Sequence, residues 1–253
     1  MDIELAILGL KVVTKGGMLT KAPERRGNTV QGEIDLATAE TVGSEFSQDK
    51  LLSASARTLS VIREAASLVR PGMLESEARK LVAEIQAQHG APKSWHPSQI
   101  RFGENTLLSF GKKGLPDPAL GENDIFFFDI GPIFDGHEGD VGRTFAVGDD
   151  REMRACGRDV EILWHLVRER WISHSETGAE LYAFATERAH DLGWILSLDQ
   201  ANGHRISDFP HAARSRGSIE KFPQKPAPHR WILEIQIRHP RRNFGAFFED
   251  LLA

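Results

Sequence analysis

The chain has 253 residues, enough for one large domain or two small ones around a substantial core. Its 40% hydrophobic and 26% charged residues suit a soluble globular protein, and a net charge of -5 argues against a general nucleic-acid binder. A single cysteine, Cys156, excludes an intramolecular disulfide and thiolate-rich metal sites and fits a reducing compartment.

The opening run MDIELAILGLKVV has no basic segment before it, and Asp2 and Glu4 interrupt its start. It falls short of the ~20 apolar residues that span a bilayer, so no membrane segment and a cytoplasmic location are expected. KGGMLTKAPERRGNTVQGE is rich in glycine, proline and charge, and residues 1–48 read as a partly irregular N-terminal arm before a regular domain at 49–253. LLSASARTLSVIREAASLV has helical spacing and stops at Arg70-Pro71-Gly72; a second helix runs from Glu75 to His89 and ends at Gly90. Strands are expected at Gln99–Phe102 and Thr106–Phe110.

Asp124–Pro132 reads as a strand buried on both faces, Phe134-Asp135-Gly136 as a turn, and His137–Val147 as the return strand. Such a hairpin would set Asp129 and Asp140 side by side, and two facing carboxylates repel unless a cation bridges them. Helices follow at Arg151–Trp171 and Ala179–Gly193, with Cys156 as a small packing residue. Strands follow near His204, at Trp231–Ile237 and at Phe244–Glu249. Each half is thus helix, turn, helix, then antiparallel strands, which predicts an α+β fold.

The acids in these strands carry the chemistry. Asp129 follows three phenylalanines, Glu234 sits in WILEIQI, and Glu249 follows Phe247-Phe248. Acids are seldom buried unless paired or metal-bound. With Asp140 and His204 they make four carboxylates and one imidazole, a set that balances two divalent cations.

FFFDIGPIFDGHEGDVGRTFAVG resembles the paired-aspartate signature of the pita-bread metallopeptidases, which include methionine aminopeptidases, aminopeptidase P, prolidase and the non-peptidase creatinase. LVRPGMLESEARKLV, GENTLL, ANGHRISDFPH, ILEIQI and FFED are similar to further family segments, so the resemblance runs over about residues 50–253. It implies a pita-bread fold: an antiparallel sheet with helices on one face and pseudo-twofold halves. It also implies a dinuclear metal-dependent hydrolase of amide bonds, an aminopeptidase or Xaa-Pro-type peptidase. Asp129, Asp140, His204, Glu234 and Glu249 would hold two divalent ions (Mn, Fe, Co or Zn), with Mn or Fe favoured by ligand hardness. Glu234 would accept the proton of the attacking water, and His211 would contact the substrate carbonyl. The partner is a peptide or small amide, and a homodimer is compatible with the reading.

The chain departs from the pattern in ways that bear on substrate binding. Phe110 stands where many members have a histidine, Ser207 replaces a glycine, and Arg205 introduces a cation beside His204. His96 is read either as a substitute for the missing histidine or as a structural residue at a strand entrance. Phe110 and Ser207 admit a second reading, hydrolysis of a small non-peptide amide or amidine; a third reading is a non-catalytic pita-bread binding module. Two expectations concern the ends. The short stretch before residue 49 resembles a methionine aminopeptidase in size, and the few residues after Glu249 would leave its strand at a mobile edge.

Overall fold

A computed structural model describes residues 36, 38–108, 112, 116–199, 201–211 and 217–253. Most of the expected N-terminal arm, and Phe110, lie outside these residues. The described ones belong to one unit, Ile34–Ala253.

Helix α1 (Gln48–Leu68) starts where the Ser47 hydroxyl accepts the Lys50 N–H at 3.4 Å. It buries Leu51, Ala54, Thr58, Val61, Ile62 and Ala65, the three-four spacing of a single helical face. Helix α2 (Glu75–Gln88) ends before Gly90, whose φ of +86° is the left-handed conformation that closes helices. Buried Glu75 at its start accepts from Phe102 N at 3.0 Å and Asn105 Nδ2 at 2.9 Å, which ties α2 to strand β1 (Gln99–Phe102). Thr106 and Leu107, expected to begin a strand, instead belong to a 3-10 turn, Gly103–Leu107, closed by the Thr106 hydroxyl on Gly103 O at 2.6 Å.

The hairpin is more elaborate than its sequence suggested. Strand β2 (Asp124–Ile130) pairs with β5 (Val141–Val147), and a small ribbon of β3 (Ile133–Phe134) and β4 (His137–Glu138) is inserted between them. That ribbon shifts the register: Asp129 faces Gly142, and Asp140 lies just before β5 rather than opposite Asp129. Helices α3 (Arg151–Ser173) and α4 (Gly178–Asp191) follow. Beyond them come β6 (Ile195–Leu196), β7 (His204–Arg205), β8 (Trp231–Arg238) and β9 (Gly245–Leu251).

The antiparallel sheet runs β1-β2-β5-β9-β8-β6, with β7 also pairing β8. The strand carrying Glu249 is therefore interior, flanked by β5 and β8, and not the mobile edge expected. Period-two alternation sorts the side chains. Ile100, Phe102, Phe126 and Phe128 pack with α1 and α2, while Leu233, Ile235, Ile237, Ala246 and Phe248 pack with α3 and α4. The residues between them (Arg101, Phe127, Asp129, Glu234, Gln236, Phe247, Glu249) line a cavity of about 640 Å3. Cys156 is buried in the α3 core, where burial raises its thiol well above the ordinary range. Among the described residues no helix is long and apolar enough to cross a membrane.

Candidate metal centre

The sheet register builds the site. Asp129 pairs with Gly142, Gly142 with Glu249, and Glu249 with Glu234, so one row across β2, β5, β9 and β8 carries three carboxylates on the cavity side. Gly142 is the gap in that row. A Cβ there would meet Phe247 Cε1 at 2.4 Å and Glu249 Cβ at 2.9 Å, so only glycine lets the Glu249 side chain cross in front of it.

Asp140 and His204 complete the cluster. His204 Nε2 lies 3.0 Å from Asp140 Oδ2, 3.2 Å from Glu249 Oε1 and 3.8 Å from Glu234 Oε1. Its Nδ1 donates to Arg205 O at 2.8 Å, which turns Nε2 toward the acids. Gly203 N–H donates to Glu234 Oε2 at 2.8 Å and fixes that carboxylate. His96 enters from the other side, with Nε2 3.2 Å from Asp140 Oδ1 and 3.6 Å from Asp129 Oδ1.

Asp140 and Glu249 are each 1% exposed, and Asp140 Oδ2 and Glu249 Oε2 have no well-aligned hydrogen-bond donor among the described residues. Burial, with the charges of Asp140 and Asp129, pushes the Glu249 carboxyl well above its usual range. Burial likewise raises Asp129 to about 7 against the opposing pull of His96, and raises Glu234 against the pull of His204. Burial would lower both imidazoles; the neighbouring acids outweigh it, raising His96 to about 9 and His204 well above its ordinary range. Asp140, despite burial, is held low by His204 and His96. Buried carboxyls that burial pushes toward the neutral form, and carboxylate oxygens with no well-aligned donor among the described residues, describe a site complementary to cations. His96, Asp129 and Asp140 form one group within ligating distance; Asp140, His204 and Glu249 form a second, so Asp140 is common to both. Oxygen and imidazole donors of this kind suit hard or borderline divalent metals.

His211 is buried against the centre, its ring stacked 6.2 Å from His204, and is not a surface residue. Glu138 holds it: Oε2 accepts from Nδ1 at 2.6 Å and Oε1 accepts its backbone N–H at 2.9 Å. Arg205, expected to present a cation to the site, points away from it. On the two-residue strand β7 it alternates with His204 and is 1% exposed. Its guanidinium donates to Ala39 O at 2.6 Å, Thr41 O at 3.0 Å, Ile206 O at 3.1 Å and Arg230 O. The Ser207 hydroxyl turns to Asp208 Oδ1 at 2.6 Å.

Sequence reasoning missed Trp95 and Glu138. The Trp95 ring lies 4.4 Å from His96, 5.2 Å from His204 and 5.0 Å from His211, edge-on or tilted to each. Glu138 lay within the expected return strand His137–Val147, with no feature of its own singled out.

The model of metallopeptidase family M24 matches residues 49–252. The chain belongs to this family. A methionine aminopeptidase of Clostridium perfringens (strain 13 / Type A) is 26% identical over 155 residues, which cover 59% of this chain and 56% of that protein. Among solved structures, an X-Pro aminopeptidase from Thermotoga maritima MSB8 superposes with a TM-score of 0.63 at 21% identity, covering 79% of this chain and 56% of that one. An Xaa-Pro dipeptidase from Bacillus anthracis gives 0.64 at 19% identity, covering 85% and 59%. The fold of this M24 member is thus the pita-bread architecture, while the chain spans a little over half the length of these relatives.

Proposed function

We propose that the chain is a metal-dependent peptidase that holds two divalent ions and hydrolyses an amide bond near the N-terminus of a peptide or in a dipeptide. The row Asp129, Gly142, Glu249, Glu234, with Asp140 and His204 beside it, carries the reading. Asp129, Asp140, His204, Glu234 and Glu249 would hold the ions, and donor hardness favours Mn or Fe over Co or Zn. Bound there, such ions supply Lewis acidity and lower the pKa of water toward neutrality.

The protein's own residues do the rest. Glu234, steadied by Gly203 N–H through Oε2, takes the proton of the attacking water and passes it to the leaving amine. His211, as an imidazolium whose Nδ1–H donates to Glu138, offers its Nε2–H to the oxygen on which charge develops. Trp95, Phe127 and Phe247 shed water from the cavity and leave room for an apolar side chain. The single buried thiol suits a reducing compartment, and we place the chain in the cytoplasm.

The test is Glu234→Gln in chelator-stripped, metal-reloaded protein, assayed on short peptides that begin with Met or Xaa-Pro. The expected result is a folded, metal-binding variant with turnover reduced about 10^2- to 10^4-fold. Near-parental turnover in Glu234→Gln overturns the mechanism. A parent that binds metal but cleaves no peptide moves the substrate to a small non-peptide amide. A parent that binds no metal leaves only a binding module.

A further inference from the structure

We propose that His96 is itself a ligand of the metal centre, so that each ion has one imidazole: His204 beside Glu234 and Glu249, and His96 beside Asp129. The inference rests on the dinuclear reading above and adds to its five ligands.

The geometry is a near repeat on the two sides of Asp140. One oxygen of that carboxylate faces each histidine: Oδ2 is 3.0 Å from His204 Nε2, and Oδ1 is 3.2 Å from His96 Nε2. Both rings are fixed in the same manner. Nδ1 of His204 donates to Arg205 O at 2.8 Å, and Nδ1 of His96 donates to Pro97 O at 3.0 Å. A carbonyl only accepts, so in the neutral ring the lone pair sits on Nε2, the atom aimed at Asp140 and Asp129. A backbone carbonyl on the far nitrogen is the usual way a ligating imidazole is oriented.

The fold also makes room for this ring. A Cβ on Gly131 would lie 2.2 Å from His96 Cδ2, 2.3 Å from its Nε2 and 2.4 Å from Trp95 Nε1. The segment that delivers His96 is pinned to the same loop. Ile133 N donates to Lys93 O at 3.0 Å, Trp95 N to Gly131 O at 2.9 Å, and Trp95 Nε1 to Gly139 O at 3.1 Å. The imidazole is 8% exposed and lies against the Asp129 and Asp140 carboxylates. A residue meant to meet substrate has no need to face two carboxylates, whereas a ligand does. Loss of His96 should therefore weaken one ion and spare the other.

The experiment titrates chelator-stripped parent, His96→Ala, Asp129→Ala and His204→Ala with Co(II), and counts ions retained after desalting. The parent should retain two. His96→Ala and Asp129→Ala should each keep one tight ion and bind the second at least about tenfold more weakly. His204→Ala should weaken the ion at the other position. X-ray absorption of the unmutated, cobalt-loaded protein gives a second reading that needs no folded variant: one imidazole per ion is expected. One imidazole for every two ions overturns the proposal. So does a His96→Ala protein that keeps both ions at parental affinity with only KM changed, which makes His96 a substrate contact and leaves the dinuclear reading intact. A parent that retains no cobalt overturns both.

Discussion

Glu234 and Glu249 are direct cross-strand partners on β8 and β9, both turned toward the cavity. Like charges in that position destabilise a sheet, so the pair works against folding unless a cation or a proton lies between them. The stability of the chain should therefore depend on metal with a sign that a substitution can invert.

In metal-free protein, Glu249→Gln removes a buried carboxyl whose Oε2 has no donor among the described residues, and should leave stability unchanged or raise it. In metal-loaded protein the same variant loses a ligand. The parent should gain about 2.7 kcal/mol from metal at a hundred times its Kd, and the variant much less. Urea unfolding of both proteins, with and without chelator, measures this. A variant less stable than the parent by the same margin in both states would show that Glu249 is a packing residue only.

Gly142 is the residue on which the row depends. Gly142→Ala places a methyl 2.4 Å from the Phe247 ring and 2.9 Å from Glu249 Cβ. Strain of that kind costs about 1–3 kcal/mol and pushes the Glu249 carboxylate off line. The expected outcome is a lower urea midpoint together with weaker metal retention. Full retention at parental stability would mean that β9 moves aside without consequence.

Legibility followed periodicity. Asp129, Glu234 and Glu249 could be singled out because each breaks an apolar strand run, and alternation then puts them on the face away from the helices. Asp140 was named with its partner mispositioned, because the β3–β4 ribbon is too short to leave a pattern. Arg205 was misread through neglect of the same alternation: next to His204 on a strand, it must face the other way. Trp95 and Glu138 had no pattern to betray them. Their roles come from long-range contacts, to Gly139 and to Ser207 and His211, that no local spacing encodes.

Arg205 should therefore behave as a structural residue. Arg205→Ala leaves the carbonyls of Ala39, Thr41, Ile206 and Arg230 without its guanidinium in a buried position. Unfolding free energy should fall by about 2–5 kcal/mol, with KM of the folded fraction unchanged at low temperature. A raised KM with unaltered stability would return Arg205 to the substrate.

Asp150 gives a pH dependence away from the metal centre. It caps α3, accepting from Glu152 N and Met153 N at 3.0 Å each, and pairs with Arg242 Nη2 at 2.7 Å. The Arg242 hydrogen bond first, then the helix N–H groups, lower its carboxyl from 3.8 to about 2. A depressed folded-state pKa contributes stability that is fully present above the unfolded value and is lost as pH falls through the folded one. Asp150→Asn keeps a capping oxygen but not the charge, so it should be less stable than the parent at pH 7. The gap should close as pH falls from about 4 toward 2, measured as the difference in urea midpoints. A gap constant across that interval would assign the stabilisation to the cap alone, with no contribution from the ionised pair.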